Sequence, residues 1–75
     1  MDFSIVPKRI EEILEKAPYG SEVYSVEMGY ETDYLNRIVF GYESPTLELL
    51  EKFCKYFNVD FFYLLGLIDY VDVEF

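Results

Sequence analysis

Apolar residues recur every three or four positions in five short segments of the chain, and these segments are separated by residues that commonly end helices. This spacing is typical of amphipathic helices that bury one stripe of side chains. We therefore predict five helices: 7–16, 21–28, 32 or 33 to 40, 46–57 and 61–66. The residues expected to face inward are, helix by helix, Ile10, Ile13 and Leu14; Tyr24, Ser25 and Met28; Leu35 and Ile38; Leu47, Leu50, Phe53, Cys54 and Phe57; and Phe61 or Phe62.

The residues between these segments supply the expected helix boundaries. Serine, threonine and aspartate side chains accept hydrogen bonds from the free amides of a first helical turn. Glycine and asparagine tolerate the left-handed backbone that ends many helices. The predicted N-caps are Ser21, Thr32 or Asp33, Ser44 followed by Pro45, and Asp60, and the predicted ends are Gly29, Gly41, Asn58 and Gly66.

The last nine residues, 67–75, have a different pattern. In the segment VDVEF apolar and acidic residues alternate with period two, which favours a strand. A lone strand is unstable, and the most available edge for pairing is the same segment of a second copy. We therefore predict a single all-α domain over 1–75 with a possible short C-terminal β-strand, which would form a homodimer through Tyr70, Val71, Val73 and Phe75.

Length, charge and residue types narrow the classes of function. The 75 residues make one small domain, and 15 acidic against 6 basic residues give a net charge of −9, which repels polyanions. The chain has one cysteine, Cys54, and no histidine, so it lacks the thiol–imidazole pair of a cysteine enzyme. It has no glycine-rich phosphate loop, no metal-ligand cluster and no apolar run of about 18 residues. We expect a cytoplasmic protein that is not an enzyme, needs no cofactor or metal and does not enter a membrane.

Residues 21–40 have the spacing of a helix-turn-helix motif. A small residue, Ser25, lets two helix backbones approach, and Gly29 turns the chain between them. From Ser21 to Leu65 the chain resembles the Cro/CI-repressor-like helix-turn-helix family, also called xenobiotic-response-element-like. The matching text, MGYETDYLNRIVFGYESPTLELLEKFCKYFNVDFFYLLG, begins at Met28. The resemblance implies the five-helix DNA-binding-domain fold of that family.

In that family the second helix of the motif enters the major groove of DNA. Carried over residue by residue, the base-reading positions are Glu31, Thr32, Asp33, Asn36 and Arg37, and Ser21 occupies a position that usually binds phosphate. Asn36 can read adenine, and Thr32 or Arg37 can contact a base or a phosphate. A carboxylate, in contrast, accepts a hydrogen bond only from the amino group of cytosine and is repelled by the flanking phosphates.

The charge of this segment conflicts with a role in gripping DNA. From Ser21 to Pro45 there are five acids and a single base, Arg37. Binding free energy at DNA comes largely from Lys and Arg that release counterions at phosphates, so DNA binding is possible but disfavoured. Three aromatic residues lie on or beside the same face, and aromatics among carboxylates suit a protein interface: Tyr34, Phe40 and Tyr42. For Phe40, packing into the core stays open as an alternative.

Three functional hypotheses fit these features. The favoured hypothesis is a helix-turn-helix regulator of transcription whose acidic recognition helix acts through a protein partner, as an antirepressor, a co-regulator or a DNA mimic. The alternative is a sequence-specific DNA-binding repressor that acts as a homodimer through Thr32, Asn36 and Arg37. The third is an interaction module that assembles through its C-terminal strand.

The strand hypothesis has a direct test. Deletion of residues 67–75 should leave a folded monomer where the full chain is a dimer, because the pairing edge is removed. Sedimentation of both chains measures the change in mass. The same mass before and after truncation would contradict strand pairing.

Overall fold

The computed structural model of the protein describes residues 2–70 and 72–73. Five α-helices and no strand are found in this part of the chain, which confirms the all-α prediction. The helices are α1 (Val6–Lys16), α2 (Ser21–Glu27), α3 (Tyr34–Val39), α4 (Leu47–Phe57) and α5 (Phe61–Leu64). None of them is long and apolar enough to span a bilayer.

All five helices contribute side chains to one hydrophobic core. The fully buried members include Val6 and Ile10 from α1, Leu35 and Ile38 from α3, Leu49, Leu50 and Phe53 from α4, and Leu64 from α5. Burial of a side chain of this size contributes about 1.5–3 kcal/mol. The core therefore draws together residues far apart in the chain and positions α2 and α3 on one side of it.

The buried stripe of α4 differs from the predicted one at Leu47, Leu49 and Cys54, the last of which is only half-buried. Leu47 is 48% exposed, whereas Leu49 is completely buried together with Leu50, Phe53 and Phe57. Both leucine sets fit a helical repeat, so spacing alone could not choose between them. At α5 Phe61 is half-buried and Phe62 is exposed; the buried residues are instead Tyr63 and Leu64.

The caps of α4 and α5 depend on local backbone geometry. Thr46 has an extended backbone, and its hydroxyl oxygen accepts a hydrogen bond from the amide of Leu49 at 3.1 Å. Ser44 is exposed in the preceding loop, so its prediction as the N-cap is wrong. Asp60 caps α5 as predicted, accepting from the amide of Phe62 at 2.8 Å. Asn58 ends α4 in the left-handed conformation, which is also as predicted.

The starts of α2 and α3 do not use the predicted caps. Ser21 is the first residue of α2 and Gly20 precedes it as the N-cap, without a side-chain capping bond. Neither Thr32 nor Asp33 caps α3; Asp33 stands at the N-cap position, but its carboxylate makes no capping bond. The free amide of Leu35 in the first turn of α3 is satisfied from another helix.

Ser25 of α2 supplies that hydrogen bond. Its side chain is completely buried, and its hydroxyl accepts from the Leu35 amide at 3.1 Å while donating to the Ser21 carbonyl at 2.9 Å. The Ser25 carbonyl also accepts from the Tyr30 amide at 2.9 Å, across the turn at Gly29. Gly29 has a φ of +90°, a conformation that only glycine adopts freely. One small residue thus fixes α2, the turn and α3 to one another.

A polar cluster joins α1 to α5. The Tyr63 hydroxyl donates to the Glu12 carboxylate at 2.7 Å, and Arg9 donates to the same carboxylate at 3.3 Å. The hydrogen bond from Tyr63 and the pairing with Arg9 hold the pKa of Glu12 below its ordinary value. The Arg9 guanidinium lies over the Tyr63 ring, and its second nitrogen is 3.6 Å from Asp69.

The described part of the C-terminal tail contains no strand. Tyr70 is exposed, and Val73 packs partly against the core. Val71 and Phe75, the other two predicted dimerisation residues, lie outside the described residues. Pairing with a second copy therefore stays a prediction.

The bridging hydroxyl of Ser25 predicts a specific loss of stability. Ser25→Ala should lower the free energy of unfolding by about 1–3 kcal/mol, because it leaves the buried Leu35 amide without a partner. Urea denaturation measures the change. Ser44→Ala is the control and should change stability by less than about 0.5 kcal/mol, because Ser44 is exposed and caps nothing. Equal effects of the two substitutions would contradict this account.

Candidate functional site

Arg37 lies at the centre of the predicted recognition face and is surrounded by carboxylates. Its Nη1 atom lies 3.2 Å from Glu31 and also contacts Asp33, and its Nε atom is 3.0 Å from Glu43. The hydrogen bonds that Arg37 donates to Asp33 and Glu43, and more weakly to Glu31, raise the pKa of Arg37 above its ordinary value. The single base of this face is therefore already paired with three acids.

Local structure brings these acids to Arg37 from both sides of α3. Asp33 precedes Arg37 by four residues, so the two side chains share a helix face. Gly41 ends α3 with a φ of +81°, and the amides of Tyr42 and Glu43 then donate to the Arg37 carbonyl at 2.9 and 3.2 Å. This compact turn folds the chain back and places the Glu43 carboxylate beside the guanidinium.

Two stacked tyrosines cover the inner side of this cluster. The rings of Tyr30 and Tyr34 are parallel, with centroids 4.1 Å apart. The Arg37 guanidinium lies 5.7 Å from the Tyr34 ring centre, and Lys52 lies 4.7 Å from that of Tyr30. Tyr34 is only 6% exposed and belongs to the hydrophobic core, which contradicts its prediction as an exposed aromatic residue of the interface.

The other residues predicted to contact bases or phosphates differ in their surroundings. The Ser21 hydroxyl donates to Asn36 Oδ1 at 2.7 Å, so these two residues of α2 and α3 lie together as one polar pair. Thr32 and Glu31 are exposed in the turn before α3. The predicted residues are therefore brought onto one face, but Ser21 and Asn36 use part of their hydrogen-bonding capacity on each other.

Phe40 and Tyr42 project from the end of α3. Phe40 is 68% exposed and Tyr42 is 83% exposed, with their ring centres 6.5 Å apart. Packing of Phe40 into the core, the open alternative, is thereby excluded. These two neighbouring exposed aromatic rings, with Glu43 next in the chain, form an amphipathic surface.

The remaining bases do not compensate for this negative face. Arg9 pairs with Glu12 and Asp69, and Lys52 pairs with Glu48 at 3.0 Å. In the described part of the chain three bases have no ion pair, and all lie on α1 or α4: Lys8, Lys16 and Lys55. The face that includes Arg37 therefore keeps an excess of negative charge.

A groove adjoins this face, and the sequence did not reveal it. It lies between α1, the start of α2 and the end of α3, has a volume of about 250 Å³ and contains Leu14, Tyr19, Val39 and Phe40. Val39 was assigned to no face, and Leu14 was expected to be fully inward but is only half-buried. The spacing of apolar and polar residues does not distinguish a half-buried leucine on a helix edge from a fully buried one. The groove forms only because α1 packs beside α3.

The described residues hold no group of three or more His, Cys, Asp or Glu side chains that could bind a metal ion. Cys54 is half-buried on α4, and this burial raises the pKa of its thiol from 9.0 to about 11. The nearby charge of Asp60 acts in the same direction. Since the thiolate is the reactive form, the Cys54 thiol is poorly suited to nucleophilic chemistry at neutral pH.

Comparison of the chain with protein-family models, with curated proteins and with solved structures finds no match.

The raised pKa of Cys54 predicts slow thiol chemistry. At pH 8 a thiol with a pKa of about 11 has roughly 100-fold less thiolate than one of pKa 9.0, offset about tenfold by its greater intrinsic nucleophilicity. Alkylation of the folded protein should therefore be at least about tenfold slower than alkylation of the chain in denaturant. The rate should still be rising at pH 10. Equal rates in the two states would contradict the assignment.

Proposed function

We propose that this protein is a helix-turn-helix regulator, acting in the control of transcription, that works through a protein partner instead of gripping DNA itself. The arrangement of α2, the turn at Gly29 and α3 is compatible with such a motif, and the sequence from Ser21 to Leu65 resembles the Cro/CI-repressor-like family. On this proposal α3 is the recognition helix, and what it recognises is a protein surface.

The observation that carries the proposal is the pairing of Arg37 with Glu31, Asp33 and Glu43. To release counterions from DNA, a basic side chain must be free to contact phosphate. Arg37 would first have to leave three carboxylates, and those carboxylates would then face the phosphates unpaired. Breaking the ion pairs of Arg37 costs free energy, and so does the repulsion between the freed carboxylates and the phosphates. Both costs oppose DNA binding at this face.

Exposed aromatic residues support a protein partner in particular. Phe40 and Tyr42 expose large aromatic side chains to solvent, and aromatic residues are enriched at protein interfaces relative to the rest of the surface. An acidic surface with aromatic anchors complements a basic surface, including the surface with which another protein binds nucleic acid. An antirepressor or DNA mimic would use this complementarity, and steering between opposite charges would speed its association.

Gel-shift titration of the whole chain against genomic DNA fragments tests the proposal. We expect no sequence-selective binding tighter than about 1 μM at moderate salt, a threshold within the range of weak non-specific DNA binding. The triple variant Glu31→Gln, Asp33→Asn, Glu43→Gln should bind DNA measurably better, because it frees Arg37 and removes the repulsion.

A matched control separates local from overall charge. The variant Glu27→Gln, Glu51→Gln, Asp72→Asn removes the same amount of charge from exposed positions away from Arg37, and it should improve DNA binding less. Tight, selective binding by the unaltered chain that Arg37→Ala abolishes would overturn the proposal and favour a DNA-binding repressor.

A further inference from the structure

We propose that the groove between α1 and α3 binds a cationic peptide segment of the partner, with one apolar or aromatic side chain of that segment inserted between Leu14, Val39 and Phe40. This inference rests on the proposed function, because it specifies the chemistry of the protein that is bound. It adds a second contact region, because Glu11, Leu14, Glu15 and Tyr19 lie outside the face around Arg37, although Ser21, Asn36 and Phe40 belong to both.

The groove has the size and lining of a side-chain pocket. Its volume of about 250 Å³ is below the roughly 300–1,000 Å³ of pockets for small-molecule ligands, so one side chain of a peptide fills it better than a cofactor does. Leu14 and Val39 are half-buried on the edges of α1 and α3. The exposed rings of Tyr19 and Phe40 also line it, at 64% and 68% exposure. Covering these four side chains would remove apolar area from water.

Two carboxylates give the groove its charge. Glu11 and Glu15 both line it, and neither makes an ion pair within the described residues. They are four residues apart on α1, an arrangement of like charges that destabilises a helix slightly. Lys16 follows Glu15 in the chain but does not line the groove. A lysine or arginine on either side of the inserted residue would neutralise both carboxylates and relieve their repulsion.

A polar pair lies at the other side of the groove and suits a peptide backbone. Asn36 and Ser21 both line it, and the Ser21 hydroxyl is used in donating to Asn36 Oδ1. The side-chain amide nitrogen of Asn36 has no partner in the described part of the chain. It can donate to a main-chain carbonyl of the bound segment, which would fix the direction and register of that segment.

Charge also decides against two other occupants. Nucleic acid would bring phosphates to Glu11 and Glu15 and would be repelled. A second copy of this chain carries the same net charge of −9 and offers few unpaired bases. A cationic protein segment is the occupant whose charge and apolar anchor both match the groove.

The test uses the whole isotopically labelled chain and a defined probe. The probe is a 12-residue peptide of lysines and serines with one central phenylalanine, titrated at low salt to about 1 mM, the scale of weak association. Saturable shifts in the amide spectrum should map to residues around Leu14, Ser21 and Val39. Replacing the phenylalanine of the peptide by serine should weaken binding at least about tenfold, as expected from lost burial of an aromatic ring.

Variants of the protein assign the charge and the anchor. Glu11→Gln with Glu15→Gln should weaken binding about threefold or more, and Phe40→Ala should weaken it by a similar factor. Glu27→Gln with Glu51→Gln removes equal charge elsewhere and should have a smaller effect. Shifts spread over the whole surface, equal losses in both double variants, or no saturable shift up to about 1 mM would overturn the inference.

The same spectra distinguish this inference from the proposed function. Titration with duplex DNA that shifts residues 31–37 selectively and tightly would overturn the proposed function, whatever the peptide does. Failure of the peptide with no DNA binding would overturn the groove assignment alone.

Discussion

The buried hydroxyl of Ser25 is the contact on which the candidate site depends. It accepts from the first turn of α3 and donates within α2, so it replaces a local cap with a bond between helices. Because no side chain of α3 caps its own helix, the position of α3 is set by α2 and by the core beneath it. The acids, the amide and the aromatic rings of the site all extend from that helix or from the turns beside it.

Arg37 then illustrates how a charged face can be stable and yet unsuited to polyanions. Three carboxylates pair with Nη1 and Nε of its guanidinium, and the ring of Tyr34 lies beside it. Most of these groups are well exposed to solvent, so the cluster owes more to local geometry than to large electrostatic energies. Its consequence is functional: the face keeps a net negative charge and lacks an available cation. Under the proposed function, the partner would carry the opposite charge.

The groove and the acidic face form one continuous surface, because Phe40 lines the groove while Tyr42 and Glu43 continue toward Arg37. A protein bound there would meet carboxylates at two places and apolar side chains between them. For the basic segment proposed above, charge would govern the rate of association and the buried anchor would govern the lifetime of the complex.

Much of this architecture was predictable from the order of residues alone. The five helices, the ends at Gly41 and Asn58, the cap at Asp60 and the inward positions of Ser25, Leu35 and Ile38 follow from helical spacing and from the backbone preferences of single residues. The excess of acids around Arg37 was also visible, since charge is a property of composition. Helical spacing, caps and helix ends depend on residues a few positions apart, so they can be predicted from the order of residues.

Only the tertiary structure decided the rest. It buried Tyr34 beneath Tyr30, left Phe40 exposed, turned Leu49 inward in place of Leu47 and gave the cap of α3 to Ser25. It also opened the groove between α1 and α3. These outcomes depend on which neighbours a side chain meets in the packed structure, and helical spacing does not record such contacts, which join positions as far apart as Ser25 and Leu35 or the helices α1 and α3.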